Sequence, residues 1–222
     1  YNVSCEYKEY APKLKELKLA NILVARTTHS PLILGAKATS AVKSLCGQAL
    51  ANMSFDMNLA EELVFDKKVS EACMSIFQLD SAEATYCAAV TLLNMSVLDD
   101  AKNLADSKAV PLCVYIIEKG PVEGLQMAVA TLCNFSMLPA FFDQMTANTV
   151  PVQRNNSTAM TGAIPAMIGV LGTTVMDPKI RLEALQFIYN MVTKHPESWE
   201  NCVSSGAMEA LGKILKTEST AD

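Results

Sequence analysis

The asparagines with the most regular spacing in this chain lie in four short apolar runs of similar sequence. Each run has an aliphatic residue, any residue, Asn and then an apolar residue, and three of the four end in Ser. They are centred on Asn52, Asn94, Asn134 and Asn190, which lie 42, 40 and 56 residues apart. A side-chain amide both donates and accepts hydrogen bonds. The repetition therefore indicates one binding surface. The Asn-x-Ser triplets also match the N-glycosylation pattern, but their periodic placement inside helices makes that match a coincidence.

Residue types that support catalysis are few and scattered. His29 and His195 each lie beside a helix end and a proline, where a surface role is usual. The acidic pairs Glu61-Glu62 and Asp99-Asp100 are typical of solvated helix starts. No GxSxG, HExxH or glycine-rich phosphate loop occurs in the sequence. We therefore expect a non-enzymatic protein with no catalytic residues and no cofactor.

The seven cysteines do not form a metal-binding or disulfide pattern. Their number is odd, their spacing is wide and no CxxC pair is present. All but Cys5 lie in apolar, helix-like runs, where a free thiol acts as a small apolar side chain. This usage predicts core packing, no metal site and a reducing compartment.

Composition and charge narrow the class of partner. The chain has 222 residues, 50% of them hydrophobic, which is enough for one domain with a long core. Its net charge is −5, and no Lys/Arg run is present, so we expect no nucleic-acid partner. No apolar run reaches the ~18 residues of a membrane span. Since the chain opens on Tyr1, we expect a membrane only indirectly or through further terminal segments. We predict a cytoplasmic protein and leave association with cytoskeleton or an organelle open.

The Asn runs lie near the ends of predicted long helices, each preceded by a short and a middle helix. The first long helix extends from Ala36 to about residue 55. The next is predicted to start at Asp80, with Glu83 completing a capping box, and to end near Val97. Asp177 followed by a proline predicts the start of the last, which ends at His195. Asn21 is interpreted as the centre of a degenerate earlier copy.

Starts of the middle helices give the period independently. They align at Val69, Val110, Ile164 and Met208, with steps of 41, 54 and 44 residues. The long step contains residues 146–161, a polar stretch without periodicity that we interpret as an inserted loop. Within it, Arg154, Asn155 and Asn156 are candidates for hydrogen bonds to a partner, and a tolerated insertion is the alternative.

The three-helix unit resembles the armadillo repeat. Gly162-Ala163-Ile164-Pro165 is the closest match to the family's middle-helix signature, and the Asn runs match the end of its long helix. The related two-helix HEAT repeat ranks second. The resemblance implies an all-α, right-handed α-solenoid of about four to five units, the terminal ones incomplete. We predict an N-terminal cap or degenerate repeat over 1–35, the solenoid over 36–216 and a polar tail over 217–222.

In armadillo proteins the long helices line a concave groove. The resemblance implies that Asn52, Asn94, Asn134 and Asn190 form a ladder there that pairs with the backbone of an extended peptide. The alternative is that these amides cap neighbouring backbone groups. Residues just after each Asn are predicted to be core between repeats, as are four small residues on the long helices. These sets are Met53, Met95, Phe135 and Met191, and Ala88, Ala89, Ala128 and Ala184.

Other groove positions indicate which classes of partner fit this chain. Importin-alpha-like members carry Trp four residues before the Asn, whereas this chain has Gln48, Val90, Ala130 and Gln186. We therefore do not expect recognition of nuclear import signals. The basic candidates on the long helices are Lys43, Arg181 and Lys194, so the groove differs from the markedly basic one of beta-catenin-like members. A mildly polar to apolar groove fits an apolar helix or strand.

The sequence favours a protein-interaction scaffold or adaptor that binds an extended or helical protein segment in this groove. The alternative is a structural subunit of a large cytoskeletal or membrane-associated assembly, held by its outer faces and the inserted loop. Trp199 is predicted to anchor the last repeat by packing, with a partner contact left open.

Overall fold

The computed structural model describes residues 7–28, 35–66, 68–105, 107–147, 152–154, 157–159, 162–173 and 176–218. Apart from one short hairpin, the elements in these ranges are helices, and they belong to two compact units.

The first unit is made of two ranges, Tyr1–Ala109 and Pro121–Met127. Its helices follow the order short, middle and long. They are α1 (Tyr7–Glu16), α2 (Leu19–Thr28), α3 (Gly35–Met53), α4 (Met57–Phe65), α5 (Val69–Phe77), α6 (Ala82–Ser96) and a 3₁₀ helix (Asp99–Leu104). The long helix α6 packs against α3 and against α5, and α4 packs against the 3₁₀ helix. Asn21 lies in the middle helix α2 and not near the end of a long helix, so its interpretation as an earlier Asn copy is wrong.

The second unit spans Val110–Gly120 and Ala128–Asp222. Its elements are α7 (Ala109–Lys119), the later part of α8 (Val122–Phe135), a 3₁₀ turn (Pro139–Phe141), α9 (Phe142–Thr146), α10 (Ala163–Leu171), α11 (Pro178–Lys194), a second 3₁₀ turn (Pro196–Ser198), α12 (Trp199–Ser204) and α13 (Ala207–Glu218). The long helix α11 packs against the middle helix α10, which also contacts α13. The order short, middle and long recurs in both units, although the second begins with the middle helix α7.

Side-chain caps mark the helix starts, and one of the two predicted caps is wrong. The Asp177 carboxylate accepts a hydrogen bond from the Lys179 amide at 2.7 Å, as its sequence predicts. The predicted capping box at Asp80 and Glu83 is wrong. Ser81 is the cap of α6, and its Oγ accepts from the Ala84 amide at 3.0 Å. Asp80 instead has a left-handed φ of 57°, and Glu83 accepts a hydrogen bond from Gln48.

The core lies where the three- and four-residue spacing predicts it. All four residues that follow the repeated Asn positions are 0% exposed, as are the four small residues predicted on the long helices. In the first unit, helices α3 and α5 approach each other closely at Gly47, because a Cβ there would lie 2.9 Å from Ile76 Cγ2. Five of the described cysteines are buried and Cys133 is partly exposed. These thiols are core side chains, as predicted.

Three further predictions differ from the structure. The stretch 146–161 was expected to lack regular structure, but it contains an antiparallel hairpin of β1 (Val152–Arg154) and β2 (Ser157–Ala159). Trp199 is 49% exposed, so it is not a buried packing anchor. His195 is only 6% exposed and its ring lies 4.7 Å from that of Phe142, so a surface role for it is wrong.

Among the helices that the structure describes, none is both long and apolar enough to cross a membrane alone. One bent pair, Val122–Phe135 with Pro139–Thr146, meets that test by length and composition, with a bend of 113°.

Candidate functional site

In the first unit, an asparagine of one long helix bonds to a serine at the end of the preceding long helix. Asn94 Nδ2 donates to Ser54 Oγ at 2.9 Å. Ser54 Oγ in turn donates to the carbonyl oxygen of Ala51 at 2.7 Å, which fixes the orientation of the hydroxyl. Ser54 follows Asn52 by two residues, so the repeated Asn-x-Ser run supplies both partners of a bond between neighbouring repeats. We call this pair an Asn–Ser latch.

The second unit contains the same latch. Asn190 Nδ2 donates to Ser136 Oγ at 2.9 Å, and Ser136 Oγ donates to the Cys133 carbonyl at 2.5 Å. Here the amide is used on both sides, because its Oδ1 accepts from Gln186 Nε2 at 2.8 Å. Asn190 is 3% exposed. Its amide is therefore an interior group, and a partner on the surface does not reach it.

The two Asn residues differ in what the latch leaves available. Asn94 is partly exposed, and its latch uses one of the two Nδ2 hydrogens. The part of the chain that the structure describes donates no hydrogen bond to Asn94 Oδ1. Asn52 and Asn134 are also partly exposed, and both are engaged in interactions of their own.

Two of the other groove candidates in the first unit are held by neighbouring helices. Gln48 on α3 donates to Glu83 Oε1 on α6 at 2.5 Å, on the exposed surface. Lys43 Nζ donates to Ser75 Oγ at 2.8 Å, and so binds the middle helix α5. Val90 is 4% exposed and belongs to the core, so a surface partner does not contact it.

Groove candidates in the second unit are less uniform. Ala130 is partly exposed, while Gln186 is exposed and supports Asn190. Arg181 is partly buried, and its Nε is enclosed without a hydrogen-bond partner among the described residues. Of the loop candidates, Arg154 lies in β1, but its side chain and the whole of Asn155 and Asn156 lie outside the described residues.

Burial makes the thiols of the long and middle helices unreactive. Burial raises the pKa of the Cys133 thiol to about 11, and the nearby Glu183 carboxylate adds to the effect. Desolvation also raises the pKa of Glu183 itself. In the first unit, burial raises the pKa of Cys73 to about 12. Since the thiolate is the reactive form, these groups are protonated and inert near neutral pH.

Sequence reasoning missed a set of exposed apolar residues three positions after the repeated asparagines. Phe55, Val97 and Met137 are 54%, 67% and 48% exposed, respectively. Met57, close to Phe55 in sequence, is 68% exposed. Their spacing from each Asn is visible in the sequence, but apolar residues beside a core run are expected to be buried.

No cluster of metal-ligating side chains occurs within the described ranges. A cleft of about 590 Å³ in the first unit is lined by Lys15, Asn21, Glu61, Glu62, Phe65 and Asp66. Its mixed charges and the exposed ring of Phe65 describe a surface depression, and none of the described residues that line it is a Cys, Ser or His.

Comparison with known proteins adds information on the fold. No protein-family model matches the sequence, and neither does any curated protein. Among solved structures, the chain is similar to a designed armadillo repeat protein in complex with the peptide (KR)4, with a TM-score of 0.68 and 16% identity over 96% of this chain and 80% of that one. Two engineered proteins match with a TM-score of 0.63 each, at 17% and 20% identity. They cover 89% and 88% of this chain, and 73% and 71% of their own.

At this level of identity the likeness concerns the fold. The chain is an all-α solenoid with an armadillo-like helical repeat, as the spacing of its asparagines and middle helices predicts.

Proposed function

We propose that this chain is a non-enzymatic scaffold that binds a peptide or protein segment along the exposed faces of its long helices. The observation that carries the proposal is the state of Asn94. It is held in place by its bond to Ser54, it is partly exposed, and its Oδ1 accepts no hydrogen bond from the described residues. A held amide with unused capacity is suited to a peptide backbone, which offers one donor and one acceptor per residue.

The latch contributes preorganisation to this site. A free Asn side chain must be ordered when a partner binds, and that ordering reduces affinity. Ser54 Oγ already fixes Asn94 Nδ2 at 2.9 Å, so less freedom remains to be lost. Two further facts are consistent with the proposal. A solved structure of similar fold holds a peptide, and the net charge of −5 favours partners with basic residues.

The test is a comparison of two variants on one peptide. A peptide selected from a random display library against the wild-type chain is labelled, and its affinity is measured by fluorescence anisotropy. Asn94→Ala removes the latch and the partner contact, whereas Ser54→Ala removes only the latch. We expect Asn94→Ala to weaken binding by about two- to tenfold, the value of one hydrogen bond. Ser54→Ala should weaken binding by less than Asn94→Ala does, because it removes only the preorganisation and leaves the amide able to contact the peptide.

Two results would contradict the proposal. One is a library that yields no binder to the folded chain. The other is an equal loss of affinity in both variants, which would make the Asn94 amide purely architectural. Circular dichroism of each variant checks that the helices are intact.

The structural-subunit alternative is favoured by one observation on the last middle helix, α13. Met208 and Leu215 on it are 58% and 70% exposed, whereas the aligned Val69, Val110 and Ile164 are at most 1% exposed. If this face holds a neighbour in an assembly, Leu215→Glu should prevent incorporation of the chain while peptide affinity is unchanged.

A further inference from the structure

Three apolar side chains at helix ends of the first unit are mostly exposed. Phe55, Met57 and Val97 are 54%, 68% and 67% exposed. Their sequence neighbours Met53 and Met95 are 0% exposed and fill the core positions of the same helix ends. We call these three residues the turn patch.

The latch brings the two halves of the turn patch together. Phe55 directly follows Ser54, and Val97 lies three residues after Asn94, less than one helical turn. The 2.9 Å bond between Asn94 and Ser54 therefore joins the two turns that carry the patch. Packing of α4 against the 3₁₀ helix Asp99–Leu104 keeps these turns side by side. The stacking of these repeats therefore places the two turns next to each other.

Carboxylates outnumber basic groups beside the turn patch, and the exposed Lys102 is the basic residue that follows them in the 3₁₀ helix. Asp56, Asp99 and Asp100 lie in the same two turns, and segments 54–57 and 97–100 contain no lysine or arginine. Asp56 keeps its position because its carboxylate accepts from the amides of Asn58 and Leu59, at 3.0 and 3.2 Å. A partner that covers the apolar side chains meets carboxylates at the rim, so basic residues beside its apolar face are complementary.

Spacing selects the form of the partner. Packed helices lie about 8–10 Å apart, which sets the distance between equivalent positions of neighbouring repeats. Seven residues of an α-helix span about 10.5 Å and return to the same face. Three residues of a strand span about 10 Å, but they end on the opposite face. A helix with apolar residues at i, i+3 or i+4, and i+7 therefore matches the patch better than a strand does.

We propose that the turn patch is a docking site for a basic amphipathic α-helix of a partner protein. The inference rests on the proposed function, since both treat the chain as a scaffold, but it names a different surface and class of partner. Equivalent positions in the second unit are Met137, 48% exposed, and Thr193, which is followed by Lys194. That unit lacks the apolar pair and the acidic rim, so the site belongs to the first unit.

The experiment uses two labelled leucine–lysine peptides of about 18 residues, five helical turns. One has leucines three and four residues apart. The other has the same composition with leucines alternating. Binding to the whole chain is measured by fluorescence anisotropy. The test variant is Phe55→Gln with Val97→Gln. The control is Val122→Gln, which alters a valine that is 74% exposed at the start of α8, outside the patch.

We expect the helical peptide to bind more tightly than the alternating one. The double variant should lose about tenfold or more in affinity, since two apolar contacts are removed, and the control should stay within about twofold. Equal affinity of wild type and double variant would overturn the proposal. So would equal binding of the two peptides. Concentration-dependent self-association that the double variant abolishes would assign the patch to a second copy and also overturn it.

The library-selected peptide described above separates this proposal from the proposed function. Its affinity should be unchanged in the double variant. If that peptide binds while the helical leucine–lysine peptide does not, the proposed site on the long helices is supported and the turn-patch proposal is rejected. If only the helical peptide binds, and does so through Phe55 and Val97, the turn-patch proposal is supported and the proposed site on the long helices is rejected.

Discussion

Two asparagines at the same repeat position have different surroundings, and the cause lies in single neighbouring side chains. Asn190 has Gln186 one turn before it, and this amide occupies Oδ1. Asn94 has Val90 at that position, which cannot donate a hydrogen bond. One amide is therefore buried and fully engaged, and the other is held but available. In these two repeats the residue four positions earlier decides whether Oδ1 is occupied, whereas Gln48, at the same position before the partly exposed Asn52, donates to Glu83 instead.

This difference predicts unequal losses of stability. Asn190→Ala removes the bonds to Ser136 and Gln186, and Ser136 is 0% exposed, so its hydroxyl loses a donor that water does not replace. We expect a loss of about 1–3 kcal/mol in the free energy of unfolding. Asn94→Ala removes one bond at a partly exposed site, for a loss of about 0.5–1.5 kcal/mol. Urea denaturation of both variants measures the difference, and a larger loss for Asn94→Ala would contradict the account.

The buried thiols predict a loss of stability in alkali. Burial raises the pKa of Cys73 from 9.0 to about 12, and that of Cys87 to about 11. Above about pH 9 the unfolded chain releases thiol protons that the folded chain retains, so the free energy of unfolding falls as pH rises. The decrease is at most about 1.4 kcal/mol per pH unit for each such thiol. Urea midpoints measured from pH 8 upward should show a shallower decline in Cys73→Ala, and identical slopes would refute this cause.

At the scale of the elements, sequence periodicity predicts most helices because their apolar stripes are buried by adjacent repeats. The long helix α11 begins at Pro178 and ends at Lys194, close to its predicted bounds. The prediction of a helix start fails where two adjacent residues could each act as the N-cap. Asp80 and Ser81 are both good caps, and the left-handed φ at Asp80 that selects Ser81 is set by the turn from α5.

Surface features were harder to predict than the core. The hairpin has short strands of three residues, too few for a periodic signal. The Asn–Ser latch was visible as a repeated Asn-x-Ser triplet, but only the contact between two repeats shows its purpose. Phe55 and Val97 were missed because apolar type alone predicts burial, whereas their exposure depends on which side of the helix end faces solvent.

Glycine use in the helices predicts two opposite mutational effects. A side chain at Gly47 meets Ile76, whose Cγ2 would lie 2.9 Å from a Cβ, so Gly47→Val should cost about 1–3 kcal/mol through overpacking. At Gly169, in the middle of α10, a Cβ meets nothing within 4 Å. Gly169→Ala should therefore stabilise the chain by about 0.5–1 kcal/mol. Thermal or urea unfolding tests both signs, and stabilisation by Gly47→Val would exclude the proposed close contact with α5.

At the scale of the molecule, the repeat architecture is encoded by a few positions per unit. Identity to the solved structures of similar fold is only 16–20%. What this chain preserves along its own length is the burial of the residue after each Asn and of the middle-helix starts Val69, Val110 and Ile164. Stacking depends on apolar volume and spacing, so many sequences satisfy it. Partner choice depends on the exposed positions between them, where individual side chains differ from one repeat to the next.

Repeat stacking also predicts how damage spreads. In a solenoid each repeat contacts its neighbours only, so stability is a sum of local terms. Phe77 in α5 and Phe187 in α11 are both 0% exposed and lie in different units. Each mutation to Ala should cost about 3–5 kcal/mol locally. Hydrogen exchange followed by mass spectrometry should show Phe77→Ala lowering protection mainly in the first unit and Phe187→Ala mainly in the second. An equal loss of protection across all described helices in both variants would mean that the chain unfolds as one cooperative block.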